Sequence, residues 1–242
     1  MSTMGIDGVV LVHGGFHGAW CWDDVRPHLT APTAAVDLPG RGNRPFAGRR
    51  VTVADCVDAV LEDADAAGFE RFALVGHSMG GLTITETANR APDRVARLVY
   101  VAALALAPGQ TIFGLFAGDA APVVEDPTGV QTPPDEATVR GMFAGDVPVD
   151  RFHGHYQQLV PEPIGLFIET VTGYDSGVPA TYVRCTRDAT VDAARVDQML
   201  AHLRPDEVVD LDADHDVMLS QPELLADLLN RTVAGLDSDA RG

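Results

Sequence analysis

Short apolar runs alternate along the chain with longer stretches in which apolar residues recur at helical spacing. Continuous apolar runs at 8–14, 33–38, 71–76 and 97–104 predict four buried strands. Helix-compatible stretches lie between these runs. Because strands that are separated by helices form βαβ units, this half of the chain predicts a parallel sheet.

The helix between the second and third strands has the clearest limits. Apolar residues repeat at helical spacing over 51–68, with Thr52 as the predicted N-cap and Gly68 as the predicted stop. A second helix is predicted after the third strand and should end near Pro92. The sequence AWCWDDVRPHL at 19–29 is also compatible with a helix.

The alternation stops near residue 105 and resumes near residue 179. Residues 108–134 are rich in Pro, Gly and Ala, and short helical pieces are predicted from there to about residue 175. We therefore predict one domain rather than two, because the sheet pattern resumes after the interruption. Residues 1–104 and 179–242 would form the core, and residues 105–178 a mainly helical cap inserted into it.

The last third of the chain returns to strands and helices. A strand with its exit loop is predicted at 180–188, a helix at 192–203, and a strand that runs into a loop at 207–216. An amphipathic helix from Pro222 closes the chain. The predicted fold class is therefore α/β, with a mostly parallel sheet flanked by helices.

Composition narrows the classes of partner. The formal net charge is −18, and all 17 basic residues are arginine. Such an acidic chain is repelled by phosphate backbones and by anionic membrane surfaces, so we expect neither nucleic acid nor membrane as a partner. The longest apolar stretch, at 98–107, is too short to cross a bilayer. Composition leaves the choice between a monomer and a homodimer open.

The cysteines indicate a reducing compartment. Cys21, Cys56 and Cys185 are far apart in the sequence and form no CxxC pair, which disfavours a disulfide framework or a zinc cluster. Residues 1–8 show no basic segment followed by an apolar one, so no signal peptide is expected. We therefore predict a cytoplasmic location.

The candidate nucleophile is Ser78, in the sequence LVGHSMGGL. Gly76 and Gly80 place it in a G-x-S-x-G pattern between a predicted strand and a predicted helix. A serine on such a sharp turn projects its hydroxyl above the carboxyl end of the sheet, and bulky residues two positions away would clash. The alternative is an ordinary turn serine with packing glycines, which the strand–turn–helix context disfavours.

A serine needs a base, and the chain has eight histidines. His215 is the best candidate because it follows the last predicted strand, where the chain order serine, acid, histidine places the base. His77 is expected to point away from Ser78 into the sheet region, and His13 to brace the backbone at a strand end. The alternative for His215 is an exposed loop histidine among acidic residues.

The acid should follow an earlier strand and orient the histidine. Asp188 closes the strand at 180–188 and is the first candidate, whereas Asp192 is the second and is more readily explained as a helix N-cap. An oxyanion hole needs two N–H donors. Met79, the residue after the serine, supplies one, and the glycine-rich loop at 13–20 should supply the other.

These segments together resemble the α/β-hydrolase superfamily, and within it the plant methylesterase and hydroxynitrile lyase group with its bacterial esterase relatives. The matching segments are VLVHGGFHGAWCW (10–22), VDLPGRG (36–42), LVGHSMGGL (74–82), YVRCTRD (182–188) and LDADHDVMLSQPELL (211–225). The resemblance implies an α/β-hydrolase fold with a sheet trimmed to about six strands.

The resemblance also implies roles for matching residues. Ser78 would be the nucleophile, Asp188 the acid and His215 the base, while the backbone N–H groups of Gly15 and Met79 would form the oxyanion hole. In the loop after the first strand, the residues that border the substrate pocket in this group match Phe16, His17 and Trp20.

Two departures favour an esterase over a lyase. The lyases carry a threonine where this chain has Gly14, and a lysine that helps to hold cyanide where this chain has Asp216. An aspartate there would repel cyanide and raise the pKa of the neighbouring imidazolium. Ester hydrolysis is therefore the favoured reaction.

Substrate selection should come from the predicted cap. Its apolar side chains are Phe113, Phe116, Met142, Phe143, Phe152, Tyr156, Leu166 and Phe167. Each of these is more readily explained as packing, but together they favour hydrophobic or aromatic small-molecule esters, such as methyl esters or lactones. No cofactor is expected. His153 and His155 could suggest a metal pair, but no further ligand completes a site, so no metal is predicted.

The first hypothesis is thus a serine esterase that works through an acyl-enzyme. The second is lyase chemistry, of the hydroxynitrile lyase kind, on the same three residues. The third is a receptor or carrier that binds a small molecule without turnover.

Overall fold

The computed structural model describes residues 5–239 of the chain. The predictions about the two chain ends therefore fall partly outside the described residues. This applies to the absence of a signal peptide and to the outer limits of the predicted core.

The first hundred residues form four strands and two long helices. Strand β1 spans Gly8–Val12 and β2 Thr33–Val36; helix α1 (Val53–Ala66) leads to β3 (Phe72–His77), and α2 (Gly80–Arg90) leads to β4 (Val95–Val101). Thr52 caps α1 as predicted, because its side chain accepts the Asp55 N–H. Gly68, with φ of +75°, follows the end of this helix.

The segment between β4 and the next sheet strand is built from short elements. They are α3 (Ile112–Ala117), β5 (Val130–Gln131), α4 (Glu136–Phe143), α5 (Val149–Tyr156), β6 (Glu162–Pro163) and α6 (Gly165–Ile168). The helical content agrees with the prediction, whereas the antiparallel pair of β5 and β6 was not predicted. Two-residue strands give too short an alternation to be seen in a sequence. We call residues 105–178 the intervening segment.

The remaining elements extend the main sheet. Strand β7 (Ala180–Cys185), helix α7 (Ala193–Leu203), strand β8 (Glu207–Leu211), and helices α8 (Val217–Ser220) and α9 (Pro222–Asp239) follow in that order. Six strands, all paired in parallel, form the sheet in the order β2-β1-β3-β4-β7-β8. The chain thus has the predicted α/β-hydrolase fold, including the predicted number of strands.

The four inner strands of the sheet are buried on both faces. Leu74 and Tyr100 pack into one hydrophobic cluster with residues of α1 and α2, whereas their neighbours Val75 and Val99 pack into a second cluster with Trp22. Successive residues of a strand face opposite sides, which is why the strand sequences are apolar without alternation. The carboxyl ends of all six strands meet at one edge of this sheet.

One predicted helix is absent. Residues 19–29 form two short 3-10 turns, Ala19–Trp22 and Arg26–His28, instead of an α-helix. Pro27 lacks the N–H that a helix interior requires. Within residues 5–239, no helix is long and apolar enough to cross a membrane.

Candidate active site

Ser78 lies on a tight turn between β3 and α2. Its φ of +51° falls in the left-handed region that side chains rarely adopt. A Cβ at Gly76 would lie 2.8 Å from Ile84 Cγ2, and a Cβ at Gly80 would lie 2.7 Å from the carbonyl oxygen of His13. Only glycine fits at these two positions, so the local sequence holds the serine in this strained conformation.

The loop after β8 brings His215 to the serine. His215 Nε2 lies 2.9 Å from Ser78 Oγ, and His215 Nδ1 lies 2.7 Å from Asp188 Oδ2. In the neutral ring, Nδ1–H donates to the carboxylate, and Nε2 accepts the serine hydroxyl hydrogen. The structure thus joins the three residues that the sequence singled out in one chain of hydrogen bonds.

Asp188, rather than Asp192, reaches the histidine. The other oxygen of Asp188 accepts the N–H groups of Thr190 and Val191 at 2.7 and 2.9 Å, which fixes the carboxylate. Asp192 caps helix α7 by accepting the Arg195 N–H at 2.9 Å. Asp188 therefore lies beside the histidine and Asp192 at the start of α7, as the sequence predicted.

The surroundings of His215 favour its charged form. Burial alone lowers its pKa, but the neighbouring carboxylates of Asp188 and Asp216 outweigh burial, and the pKa lies above the usual 6.5. A higher pKa makes the imidazole a stronger base toward the Ser78 hydroxyl. It also stabilises the imidazolium that proton transfer would create.

Asp216 is a buried carboxylate between three histidines. Burial raises the pKa of this carboxylate, but the nearby His17, His77 and His215 lower it by a larger amount. The pKa therefore lies below the usual 3.8. His17 Nδ1–H donates to the Gly15 carbonyl oxygen at 2.7 Å, and His17 Nε2 lies 3.2 Å from Asp216 Oδ2. The two contacts hold the His17 ring between the Gly15 carbonyl group and the Asp216 carboxylate.

His77 has a different position from the predicted one. It is fully buried, but it faces the loop after β8 instead of the sheet, and its ring centroid lies 4.7 Å from that of His215. Its Nε2–H donates to the His215 carbonyl oxygen at 3.1 Å. Burial and then His215 lower its pKa to about 3, so His77 stays neutral and braces the loop.

His13 braces the backbone, as predicted. Its Nε2 accepts the Leu38 N–H at 3.2 Å, and its Nδ1–H donates to the Gly14 carbonyl oxygen at 2.7 Å. Burial first, and then the charge of Arg41, holds the pKa of His13 well below its usual value. A neutral ring with this tautomer serves both hydrogen bonds.

The loop after β1 lies against the Ser78 turn. A Cβ at Gly14 would lie 2.7 Å from Ser78 Cβ, and a Cβ at Gly15 would lie 2.7 Å from Met79 Sδ. Gly15, Met79 and Ser78 border the same cavity. The two residues predicted to donate N–H groups to an oxyanion are therefore neighbours beside the serine.

A cavity of about 300 Å³ opens onto Ser78 and His215. Its wall is mostly apolar. Seven of the residues predicted for the pocket or its cap line it: Phe16, His17, Phe113, Phe116, Met142, Phe143 and Phe167. Phe113 and Phe167 stack with their ring centroids 5.2 Å apart. Such a wall suits a hydrophobic or aromatic ligand.

Four predicted residues lie outside this lining: Trp20, Phe152, Tyr156 and Leu166, of which Leu166 packs into the hydrophobic cluster with residues of α1 and α2. Trp20 packs behind His17, with ring centroids 5.4 Å apart. Phe152 is buried in the hydrophobic cluster that contains Trp22. The Tyr156 hydroxyl donates to the Pro134 carbonyl oxygen at 3.0 Å. Phe152 and Tyr156 lie on helix α5, which turns them away from the cavity, whereas Trp20 lies on the 3-10 turn after β1.

Several further residues of the wall belong to no sequence motif. These are Leu104, Ile112, Gln131, Pro134, Ala189 and Thr190. They lie in loops or in short elements that carry no motif. Only Thr190 could have been found from the sequence, because it lies two residues after Asp188. A buried ion pair between Arg41 and Glu162 was also not predicted.

The described residues bring one group of metal-ligand atoms together, at His77, His215 and Asp216, within 4.8 Å of one another. Both ring nitrogens of His215 are already hydrogen-bonded, to Ser78 and Asp188. His153 and His155, the two histidines that could suggest a metal pair, have different partners. His153 pairs with Glu136, and His155 stacks on Trp20. That no metal is used stays a prediction.

The sequence matches the profile of the Alpha/beta hydrolase family over residues 9–228. It is 30% identical to a pyrethroid hydrolase of Sphingobium wenxiniae, in an alignment that covers 93% of this chain and 87% of that protein. It is 27% identical to a methylesterase of Arabidopsis thaliana, in an alignment that covers 94% of each. The relatives thus fall in the group that the motifs resembled.

A solved structure shows the same fold. An extracellular alpha/beta-hydrolase from a Paenibacillus species superposes with a TM-score of 0.81 at 22% identity. The match covers 92% of this chain and 97% of that one. Most of the fold therefore has a counterpart in a protein of similar size.

Proposed function

Because the chain belongs to the alpha/beta hydrolase family, we propose that it is a serine hydrolase that cleaves carboxylic esters of hydrophobic or aromatic small molecules. The observation that carries the proposal is the hydrogen-bonded chain from Ser78 through His215 to Asp188, which borders an apolar cavity. The named relatives support it, since one is a pyrethroid hydrolase and one a methylesterase.

The reaction begins with attack by Ser78. His215 Nε2 takes the hydroxyl proton as Oγ bonds to the ester carbonyl carbon, and Asp188 stabilises the imidazolium and fixes its orientation. His215 then returns the proton to the leaving alcohol, which leaves an acyl group on Ser78. Water, deprotonated by His215, attacks the acyl-enzyme and releases the carboxylic acid.

The oxyanion of each tetrahedral intermediate is held by the N–H groups of Gly15 and Met79. Met79 is the first residue of the turn into α2, and the amino end of a helix favours negative charge. Gly15 lies against the Met79 side chain, so both donors border the space beside Ser78.

The substrate is held by the aromatic wall of the cavity. Phe113, Phe116, Phe143 and Phe167 come from the intervening segment, which we propose acts as a cap over the core. An apolar cavity of about 300 Å³ suits a methyl ester of an aromatic acid, or a lactone, better than a sugar ester or a charged ester.

Lyase chemistry is the less favoured alternative. Asp216 is a buried carboxylate with its pKa lowered, and its negative charge in the site would repel cyanide. The hydrogen-bonded chain through His215 argues against a receptor without turnover, which remains the third hypothesis.

The test is a panel of p-nitrophenyl esters, aryl methyl esters and lactones, assayed with wild type and with Ser78→Ala. We expect turnover of the apolar esters by wild type, and none by the variant. Mandelonitrile serves as the control for lyase chemistry, and cyanide release without ester hydrolysis would overturn the proposal. Tight binding of these esters without any turnover would instead indicate a receptor.

We further propose a cytoplasmic location. Cys21, Cys56 and Cys185 are free and buried, and burial is the largest cause that raises the pKa of each thiol, for Cys56 to about 12. Thiols kept protonated in the core suit a reducing compartment. Fractionation of the native host cells tests this.

Light scattering of the purified protein decides between a monomer and a homodimer.

A further inference from the structure

A buried ion pair lies directly behind the loop that carries Gly15. Arg41 follows β2 and Glu162 lies on β6; their side chains are 2% and 1% exposed and are paired through Arg41 Nη2 and Glu162 Oε2. The two side chains border a small void together with Gly14 and Met79. The pair therefore packs against the residues proposed to form the oxyanion hole.

Both members of the pair hold the backbone of this loop. Glu162 Oε2 accepts the Phe16 N–H at 2.7 Å, and Arg41 Nε–H donates to the His17 carbonyl oxygen at 2.8 Å. The Phe16 carbonyl oxygen accepts the Val160 N–H at 2.9 Å, so Phe16 is held from both sides. A third donor group of Arg41 binds the carbonyl oxygen of Pro39 at 2.8 Å.

The loop needs such anchors. Gly14 and Gly15 are consecutive glycines, which have more backbone freedom than any other pair of residues. Phe16 follows with φ of +64°, a conformation that costs free energy in a residue with a side chain. The peptide between Gly15 and Phe16 is fixed at its N–H by Glu162 and at its carbonyl oxygen by His17.

We propose that the Arg41–Glu162 pair positions the Gly15 N–H for the oxyanion. This inference rests on the proposed function. The pair acts through the loop and does not touch the substrate, so Arg41 and Glu162 are positioning residues. Their charge makes the hydrogen bonds to Phe16 and His17 stronger than neutral ones, and burial shields these bonds from water.

The position of Glu162 adds a second consequence. Glu162 belongs to the intervening segment, whereas Arg41 and the loop belong to the core. The pair therefore joins the oxyanion loop to the segment that supplies the aromatic wall of the cavity. A substrate that shifts this segment would shift the Gly15 N–H with it.

The test uses the double variant Arg41→Met/Glu162→Met. Replacing both charges with apolar side chains of similar size avoids leaving one charge buried alone, so the variant should fold. We expect kcat for an apolar ester to fall about 10-fold to 100-fold, with KM within about threefold. This is less than the roughly 100-fold to 1000-fold cost of deleting an oxyanion donor, because the Gly15 N–H is still present but less well placed. Thermal unfolding is measured alongside.

A transition-state analogue separates positioning from general damage. An aryl trifluoromethyl ketone forms a hemiketal oxyanion with the serine, and its inhibition constant should rise in parallel with the loss of kcat. The single variant Glu162→Gln keeps an oxygen that can accept the Phe16 N–H. It should therefore retain more of kcat than Glu162→Met.

Arg44→Met is the matched control. Arg44 lies three residues after Arg41 and pairs with Asp63 at 2.7 Å, away from the Gly15 loop, so kcat should stay within about twofold. Wild-type kcat and ketone affinity in the folded double variant would contradict the positioning role, as would a loss of kcat that only follows a loss of folded protein. Wild type without turnover or serine labelling would instead contradict the proposed function itself.

Discussion

The two walls of the cavity are built on different principles. On the sheet side, Ser78, His215 and His17 are held by hydrogen bonds of 2.7 to 3.2 Å. On the other side, Phe113 and Phe167 contact each other through stacked rings and make the wall apolar. Directional bonds fix atoms for chemistry, whereas apolar packing fixes a shape. Changes on the first wall should therefore affect kcat, and changes on the second should affect KM.

The largest effect is expected at Ser78. Replacement by alanine removes the attacking oxygen, and kcat for an apolar ester should fall about 10⁶-fold, as when a nucleophile is deleted from a comparable site. Binding of the substrate should survive, because the aromatic wall is unchanged. Isothermal titration of the variant with the intact ester measures this binding. A fall in kcat of less than about tenfold would contradict the assignment of Ser78 as the nucleophile.

Asp188 should have the next largest effect. In Asp188→Asn the amide NH2 can donate to His215 Nδ1, which favours the tautomer that cannot accept the Ser78 proton at Nε2. We therefore expect kcat to fall about 10⁴-fold with little change in KM. Asp192→Asn is the matched control, since Asp192 caps α7 and an asparagine also serves as an N-cap. Equal losses in the two variants would show that Asp188 has no special role.

The apolar wall should respond in the opposite way. Phe113→Leu removes ring area from the cavity, so KM for an aromatic ester should rise about tenfold while kcat stays within about threefold. Phe152→Leu is the control, because Phe152 is 2% exposed and packs behind the wall. It should lower the melting temperature and leave KM nearly unchanged. A fall in kcat without a rise in KM in Phe113→Leu would break the distinction between the walls.

The smallest effect is a shift of the pH profile. Asp216 helps to raise the pKa of His215, and activity requires the neutral base, so kcat/KM rises with pH through this pKa. In Asp216→Asn the pKa should fall, and the acid limb of the profile should move to lower pH. His17 and His77 also contact Asp216. The position of the acid limb therefore depends on all the buried groups around Asp216, and not on His215 alone.

Asp214→Asn is the control for this shift. Asp214 precedes His215, but it is paired with Arg187 at 3.1 Å and is 19% exposed. Its charge is therefore screened, and the acid limb should move less than in Asp216→Asn. An acid limb that moves to higher pH in Asp216→Asn would contradict the proposed influence of Asp216.

The sheet-side wall could be predicted from the sequence because its signals are local. The glycines around Ser78 report the turn directly, and His215 follows the last strand at the place where the fold requires it. The choice between Asp188 and Asp192 was also local, since an aspartate at the start of a helix has an evident role as a cap. For the six-stranded sheet, apolar runs separated by helices were sufficient.

The other wall could not be predicted in the same way. Phe143 faces the cavity and Phe152 does not, although both lie on short helices of the intervening segment. Which face of such a helix is turned inward depends on how it packs, and not on its own sequence. Arg41 and Glu162 are 121 residues apart, so their pairing has no local signal at all.

The central claim is that Ser78 is an activated nucleophile. A fluorophosphonate tests it directly, because the reagent labels a serine whose hydroxyl is activated by a neighbouring base that takes the proton during attack. We predict one adduct per chain, located on Ser78 by peptide mass spectrometry, and no adduct in Ser78→Ala or in His215→Ala. Folded wild-type protein that takes up no label, or an adduct on another residue, would contradict the account.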